Sequence, residues 1–195
     1  MTEISAIVLA STSPYRAALL ARLGVRFETL APDYEESNAP GVDPGALVRA
    51  QARGKSESLR AVRPRAIIIG SDQVADLEGE ILTKPGTAEA ARAQLRRLSG
   101  REHRLLTAVC ISAGGDQPIL EALEVTRLGV RDLTEGEIER YVALDDPLDC
   151  AGSYKIETLG ISLFDYQRGD DPTAVIGLPL MATSRLLREL GVPIP

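Results

Sequence analysis

"RAIIIGSDQVADLEGEILTKPG", residues 65–86, decides how this chain is organised. Ala66, Ile67, Ile68 and Ile69 form an unbroken apolar run, the composition of a strand buried on both faces. Gly70 follows, then the polar set Ser71-Asp72-Gln73. This spacing predicts a strand that ends near Gly70 and leaves Asp72 just past its carboxyl end, where open α/β sheets gather ligand chemistry. "DLEGEILTK" predicts a hairpin turning at Glu78-Gly79, which folds Lys84 back towards that strand end. Taken singly, Asp72 could also be a turn acid or a helix cap, and Lys84 a solvated surface lysine.

Outward from this stretch, helices and strands alternate. "AIVLAS" (6–11) predicts a first strand and "SPYRAALLARLG" (13–24) a helix with Pro14 in its first turn. "VRFETLAP" alternates like a half-exposed strand, and "ESNAPGVDPG" (36–45) is a loop. A second helix opens at Asp43-Pro44, and a third runs from a Thr87 cap to Gly100. "HRLLTAVCISA" and "PILEALEVTRLGVRDL" pair as a hairpin around Gly114-Gly115-Asp116. A helix with a Thr134/Glu137 capping box, a strand in "ISLFDYQRGD" and a closing helix in "LPLMATSRLLRELG" complete the chain. In "CAGSYKIETLGISLF", the alternation of Ser153, Lys155 and Glu157 predicts one shared strand face, with a plain polar outer face as the alternative.

Composition narrows the function. The chain has 195 residues, enough for one sizeable core or two small lobes sharing a sheet. Its net charge is −6, which gives neither nucleic acid nor an anionic membrane an electrostatic footprint. The N-terminal residues read as a strand, not as a signal peptide or a membrane span. Cys110 and Cys150 fit no CxxC pattern and read as reduced, buried thiols of a cytosolic protein, with a bond between them as the alternative. With His103 the single histidine, a His-rich zinc site and an HExxH protease are impossible. A general base is therefore expected to be a carboxylate.

The remaining polar residues fit one chemistry. "STSPYR" puts hydroxyls and Arg16 at a helix start, where free N–H groups suit phosphate; a simple helix cap is the alternative. With Glu35, Glu36, Lys55, Asp72 and Lys84, the inventory suits metal-assisted attack of water on a polyphosphate. There is no Walker GxxxxGK[ST] and no GxGxxG, which argues against a P-loop NTPase or a Rossmann dehydrogenase.

Six stretches in register carry a resemblance: "LASTSPYRAALLARLGVRFE", "EE", "IIIGSDQVA…GEILTKPG", "LSGREHRLLTAV", "CAGSYKIETLG" and "DDPTAVIGLPL". The chain resembles the Maf family of nucleoside triphosphate pyrophosphatases over nearly its whole length. The resemblance implies an α/β fold: an elongated, twisted, mixed β-sheet flanked by helices, Maf/ITPase-like, with two lobes around a central cleft in a single domain, 1–195. It implies hydrolysis of a nucleoside triphosphate between the α and β phosphates, with a divalent cation, Mg²⁺ or Mn²⁺. Asp72 matches the proton acceptor for the attacking water. Ser11, Arg16, Lys55 and Lys84 match phosphate-binding positions, and Glu36 with Asp72 the metal-associated acids. A homodimer in the cytoplasm that clears modified nucleotides is also implied, while His103 and Thr107 carry no assigned chemistry.

Three positions sort the family by substrate: here Tyr15, Gln73 and Glu157. This trio resembles the branch that acts on 7-methyl-GTP, where the branch preferring dTTP and UTP typically has Arg, Thr and Gln. The chemistry agrees. N7-methylated guanine is cationic and stacks on an aromatic ring, and a carboxylate accepts from N1–H and N2–H₂ together. Two departures stand out: Thr83 where relatives often have Gly, and Tyr15 where some members have Trp. The competing readings are a dTTP/UTP or broad-range pyrophosphatase, and a non-catalytic nucleotide-binding regulator of cell division.

Overall fold

The computed structural model describes residues 6–36, 41–114 and 117–195. Among the described residues, seven strands and five α-helices follow in the order β1 (Ile7–Ala10), α1 (Pro14–Ala21), β2 (Phe27–Leu30), α2 (Pro44–Ser58), β3 (Ile67–Leu77), β4 (Glu80–Leu82), α3 (Ala88–Leu98), β5 (Glu102–Ser112), β6 (Leu120–Val130), α4 (Glu135–Asp145), β7 (Phe164–Arg168) and α5 (Leu180–Glu189). The strands form one mixed sheet in the order β2-β1-β3-β5-β6-β7, with β4 on β3. β1 runs parallel to both β2 and β3, with Ile7 opposite Phe27 and Ile67. β4 on β3 and β7 on β6 are antiparallel. Most of the turn expected at Gly114-Gly115-Asp116 and residues 37–40 of the expected loop lie outside the described residues.

The chain divides into two compact units, Met1–Asp72 with Thr107–Glu124 and Asp171–Pro195, and Gln73–Leu106 with Val125–Asp170. In the first unit, period-two alternation sorts the side chains of β1 and β3. Ile7, Leu9, Ile67 and Ile69 join Leu19 and Leu20 of α1 and Leu186 and Leu187 of α5 in one core cluster. Val8, Ala10 and Ile68 join Leu59, at the end of α2, in another. Both faces of these strands are therefore covered, which is why they read as unbroken apolar runs.

Two expectations need correction. β3 does not end near Gly70; it continues to Leu77, so Asp72 lies in mid-strand. The polar residues do not break it because alternation sends them to opposite faces, where each finds a partner. Asp72 meets Lys55, and the Ser71 hydroxyl donates to the Ala108 and Gly177 carbonyls at 2.8 and 2.9 Å. Gly70 is there for space, not as a stop: a Cβ at this position would lie 2.2 Å from the Ala52 carbonyl oxygen of α2. The hairpin after β3 is as expected, with Glu78 and Gly79 both at positive φ, the pair a tight two-residue turn requires.

The second correction concerns residues 150–164, which form no strand. A 3-10 turn at Ala151–Ser153 with positive φ at Gly152 and Ser153 prevents it, and a second 3-10 segment follows at Leu159–Leu163. Ser153, Lys155 and Glu157 have separate surroundings. Ser153 is buried, Lys155 Nζ donates to the last carbonyls of α4 (Asp145 and Asp146, 3.0 and 2.9 Å), and Glu157 is exposed. Cys110 is a buried free thiol and Cys150 a half-buried one.

Candidate active site

In the first unit the site begins where β1 ends. Ser11 follows Ala10, and its Oγ accepts the Ser13 N–H at 3.1 Å; the Ser13 hydroxyl in turn caps α1 by accepting from the Arg16 N–H. Pro14 at the helix start needs no such partner. These contacts fix the first turn of α1 and with it Arg16. The Arg16 guanidinium donates through Nε to the Gly177 carbonyl at 2.9 Å. Burial pulls its pKa below the usual value, opposed by the charges of Asp72 and Glu36.

The centre is Lys55. This lysine is 5 % exposed, on the sheet-facing side of α2. Its Nζ donates to Asp72 Oδ1 at 2.5 Å and to Glu36 Oε1 at 2.6 Å. Asp72 belongs to the β3 face that meets α2, together with Ile68 and Gly70. Its carboxyl is pushed above its ordinary pKa by burial, against Lys55 and Arg16, which lower it. An acid that is buried and still ionisable has the character of a general base.

Glu36 reaches Lys55 because the chain before it lies on α2. The ring of Tyr34 occupies the space where a Cβ at Gly54 would be, with the nearest ring carbon 2.1 Å from that position. Sequence reasoning missed this pair; a glycine inside an otherwise good helix, one residue before a candidate lysine, was the available signal. It also missed how "DDPTAVIGLPL" works. Asp171 is buried and accepts the Thr173 and Met181 N–H groups, while the Thr173 hydroxyl accepts from the Leu180 N–H. This knot holds Gly177, at φ 117, with its carbonyl shared between Arg16 Nε and the Ser71 hydroxyl.

The structure thus brings Glu36 and Asp72 onto the buried Lys55 ammonium, with Arg16 near enough for its charge to act on Asp72 and Glu36, beside the Ser11–Ser13 helix start. Tyr15 is half-buried on α1, next to Arg16. Gln73, Lys84 and Glu157 belong to the second unit. Gln73 is half-buried on β3, and Lys84 is exposed after β4. The carboxyl of Glu157 is pushed up mainly by desolvation, with Asp145 adding to it.

Whether these residues suit a divalent cation is answered by the donors. Two carboxylates, Glu36 and Asp72, aim an oxygen at the same positive centre within hydrogen-bond distance. Among the described residues no three His, Cys, Asp or Glu side chains gather as metal ligands. Two carboxylates suit Mg²⁺ or Mn²⁺, hard cations that complete their shell with water and substrate phosphate oxygens. The residues fit.

Among the described residues no helix is long and apolar enough to cross a membrane. Among curated proteins, the chain is 51% identical over 189 residues to the 7-methyl-GTP pyrophosphatase of Xanthomonas campestris pv. campestris strain 8004, covering 97% of this chain and 98% of that protein. It is 44% identical to the protein of the same name from Pseudomonas aeruginosa PAO1, with the same coverage. Among solved structures, the Staphylococcus aureus Ham1 protein aligns with a TM-score of 0.49 at 18% identity, over 66% of this chain and 73% of that one. The model of the Maf-like protein family matches residues 6–190, and the chain belongs to that family.

Proposed function

We propose that this protein is a nucleoside triphosphate pyrophosphatase, a hydrolase of acid anhydrides that cleaves 7-methyl-GTP between its α and β phosphates. The observation that carries the reading is the buried Asp72 carboxyl, 2.5 Å from the Lys55 ammonium, on the strand face that meets α2. The names of the curated relatives support the substrate.

In this reading, water attacks phosphorus, its proton passes to Asp72, and the α–β anhydride bond breaks to release pyrophosphate and 7-methyl-GMP. Arg16, Lys55 and Lys84 offset phosphate charge, and the Ser11–Ser13 helix start offers hydroxyl and N–H donors. Glu36 and Asp72 would hold a divalent cation, Mg²⁺ or Mn²⁺, whose chemistry is to polarise phosphate oxygens. Tyr15 stacks on the cationic base, and Gln73 and Glu157 complete its recognition. Both compact units serve this one activity as a single Maf-like domain, 1–195.

The test is pyrophosphate release from 7-methyl-GTP, GTP, UTP and dTTP with Mg²⁺ or Mn²⁺, in wild type and Asp72→Asn. Preference for the methylated guanine, lost in the variant, is expected. Preference for UTP or dTTP would overturn the substrate; nucleotide binding without turnover would overturn the enzyme and leave a regulator.

A further inference from the structure

Within the second unit, one side-chain amide joins two segments to which the proposed function gives different tasks. Gln94 lies in the middle of α3, half-buried. Its Nε2 donates to the Thr83 carbonyl at 2.9 Å, and its Oε1 accepts the Ser153 hydroxyl at 2.6 Å. Thr83 immediately precedes Lys84. Ser153 is fully buried and opens the segment that leads to Glu157. We propose that Gln94 is a positioning residue that ties the Lys84 backbone to the Ser153 segment, and so couples phosphate contact to base selection. This rests on the assignment of Lys84 to phosphate and Glu157 to the base.

The backbone around Lys84 is restricted from both sides. Pro85 disfavours helical backbone at Lys84, and Gly86 takes a positive φ of 68. The Gly86 N–H donates to the Leu148 carbonyl at 3.0 Å, so the same 148–153 stretch holds the loop after the lysine as well as before it. The Lys84 side chain itself remains exposed. Beyond the end of β4, its backbone is held by α3 and by 148–153.

The Ser153 end is equally fixed. Ser153 sits at φ 63, and Tyr154 behind it is buried, edge-on to Phe164 with ring centres 4.9 Å apart and its hydroxyl 2.8 Å from His103 Nε2. The Lys155 N–H donates to the Tyr141 hydroxyl at 2.9 Å, and the Lys155 ammonium holds the end of α4. Gln94 is the side chain that joins this fixed Ser153 to Thr83.

An amide is needed for this bridge, because it must donate on one side and accept on the other. Glutamate at 94 could still accept from Ser153 but would set a carboxylate against the Thr83 carbonyl. Gln94→Glu therefore cuts one end of the tie and Ser153→Ala the other.

The experiment combines amide hydrogen exchange of the substrate-free protein with kinetics on 7-methyl-GTP and GTP. Gln94→Ala is expected to speed exchange at 83–86 and 150–156 and to raise KM by about tenfold, with kcat within about threefold of wild type. Gln94→Glu should free 83–86 and raise KM for both nucleotides alike. Ser153→Ala should free 150–156 and lower the preference for the methylated base. Unchanged exchange at 83–86 in both Gln94 variants, or unchanged KM despite faster exchange, would overturn the proposal. A wild type that releases no pyrophosphate overturns the functional reading instead, and the exchange data still uphold or overturn the tie itself.

Discussion

Lys55 Nζ stands 2.5 Å from Asp72 Oδ1, and both side chains are 7% exposed. Burying a charge this deeply is costly unless it is paired and hydrogen-bonded, and removing one partner leaves the other uncompensated. Lys55→Met should destabilise the protein by about 3 kcal/mol, the usual order for removing one partner of a buried pair. Lys55→Met with Asp72→Asn should cost less than the sum of the two single changes, since the partners couple. Urea denaturation of the four proteins measures this; additive losses would show that the pair does not act as one.

The same contact sets the acid side of the pH–rate profile. Asp72 must be ionised to accept a proton, and burial holds its pKa above the ordinary carboxylate value. Activity should therefore rise with pH across a limb lying above the ordinary Asp range. Lys55 lowers that pKa, so Lys55→Met should move the limb to higher pH. A limb that stays in place after the substitution would separate Asp72 from the rate.

Base selection should divide by chemistry. Tyr15→Ala removes a stacking partner worth about 0.5–2 kcal/mol, so kcat/KM for 7-methyl-GTP should fall between about twofold and thirtyfold. Plain GTP, without the positive ring, should fall less. Glu157→Gln should weaken both guanines and leave UTP unaffected. Equal losses on all three substrates would place these residues outside base recognition.

Much of this site was legible because its parts are local. Pro14 and Ser13 declare a helix start, and an unbroken Ile67–Ile69 run declares a strand covered on both sides. Asp72 was placed at a strand end because Gly70 and Ser71 look like punctuation. Only the approach of α2 shows that the glycine makes room and the strand continues. The partnership of Lys55 with Glu36 and Asp72 depends on contacts across 19 and 17 residues, which no periodicity records. The 150–157 segment misled for the opposite reason: Tyr154 and Ile156 are both buried, as in a strand, yet the backbone answers to Tyr141 and to the positive φ of Ser153.

His103 should give the fold an acid-side weakness away from the chemistry. Burial lowers its pKa from 6.5 to about 4, outweighing Asp76 and Glu102, which raise it. The unfolded chain therefore binds a proton that the folded one refuses. Stability from this group is complete above pH 6.5 and is lost as pH falls towards about 4, by roughly 2–3 kcal/mol. His103→Gln should flatten the fall in melting temperature across that window. An unchanged slope would assign it to the carboxylates.

Gly70→Ala tests how closely the site depends on the seating of α2. A Cβ on Gly70 would come 2.2 Å from the Ala52 carbonyl oxygen and 2.7 Å from the Ser56 N. Both are backbone atoms within the helix, so no side-chain rotation relieves the clash and α2 must lift from β3. Overpacking of this kind costs about 1–3 kcal/mol. Lys55 precedes Ser56 directly, so the lift draws its ammonium away from Asp72 while every polar group of the site remains. The expected result is a folded protein with a lower melting temperature and a rate loss well beyond what its stability explains. A full wild-type rate alongside the lower melting temperature would mean that α2 can shift without disturbing the Lys55–Asp72 contact.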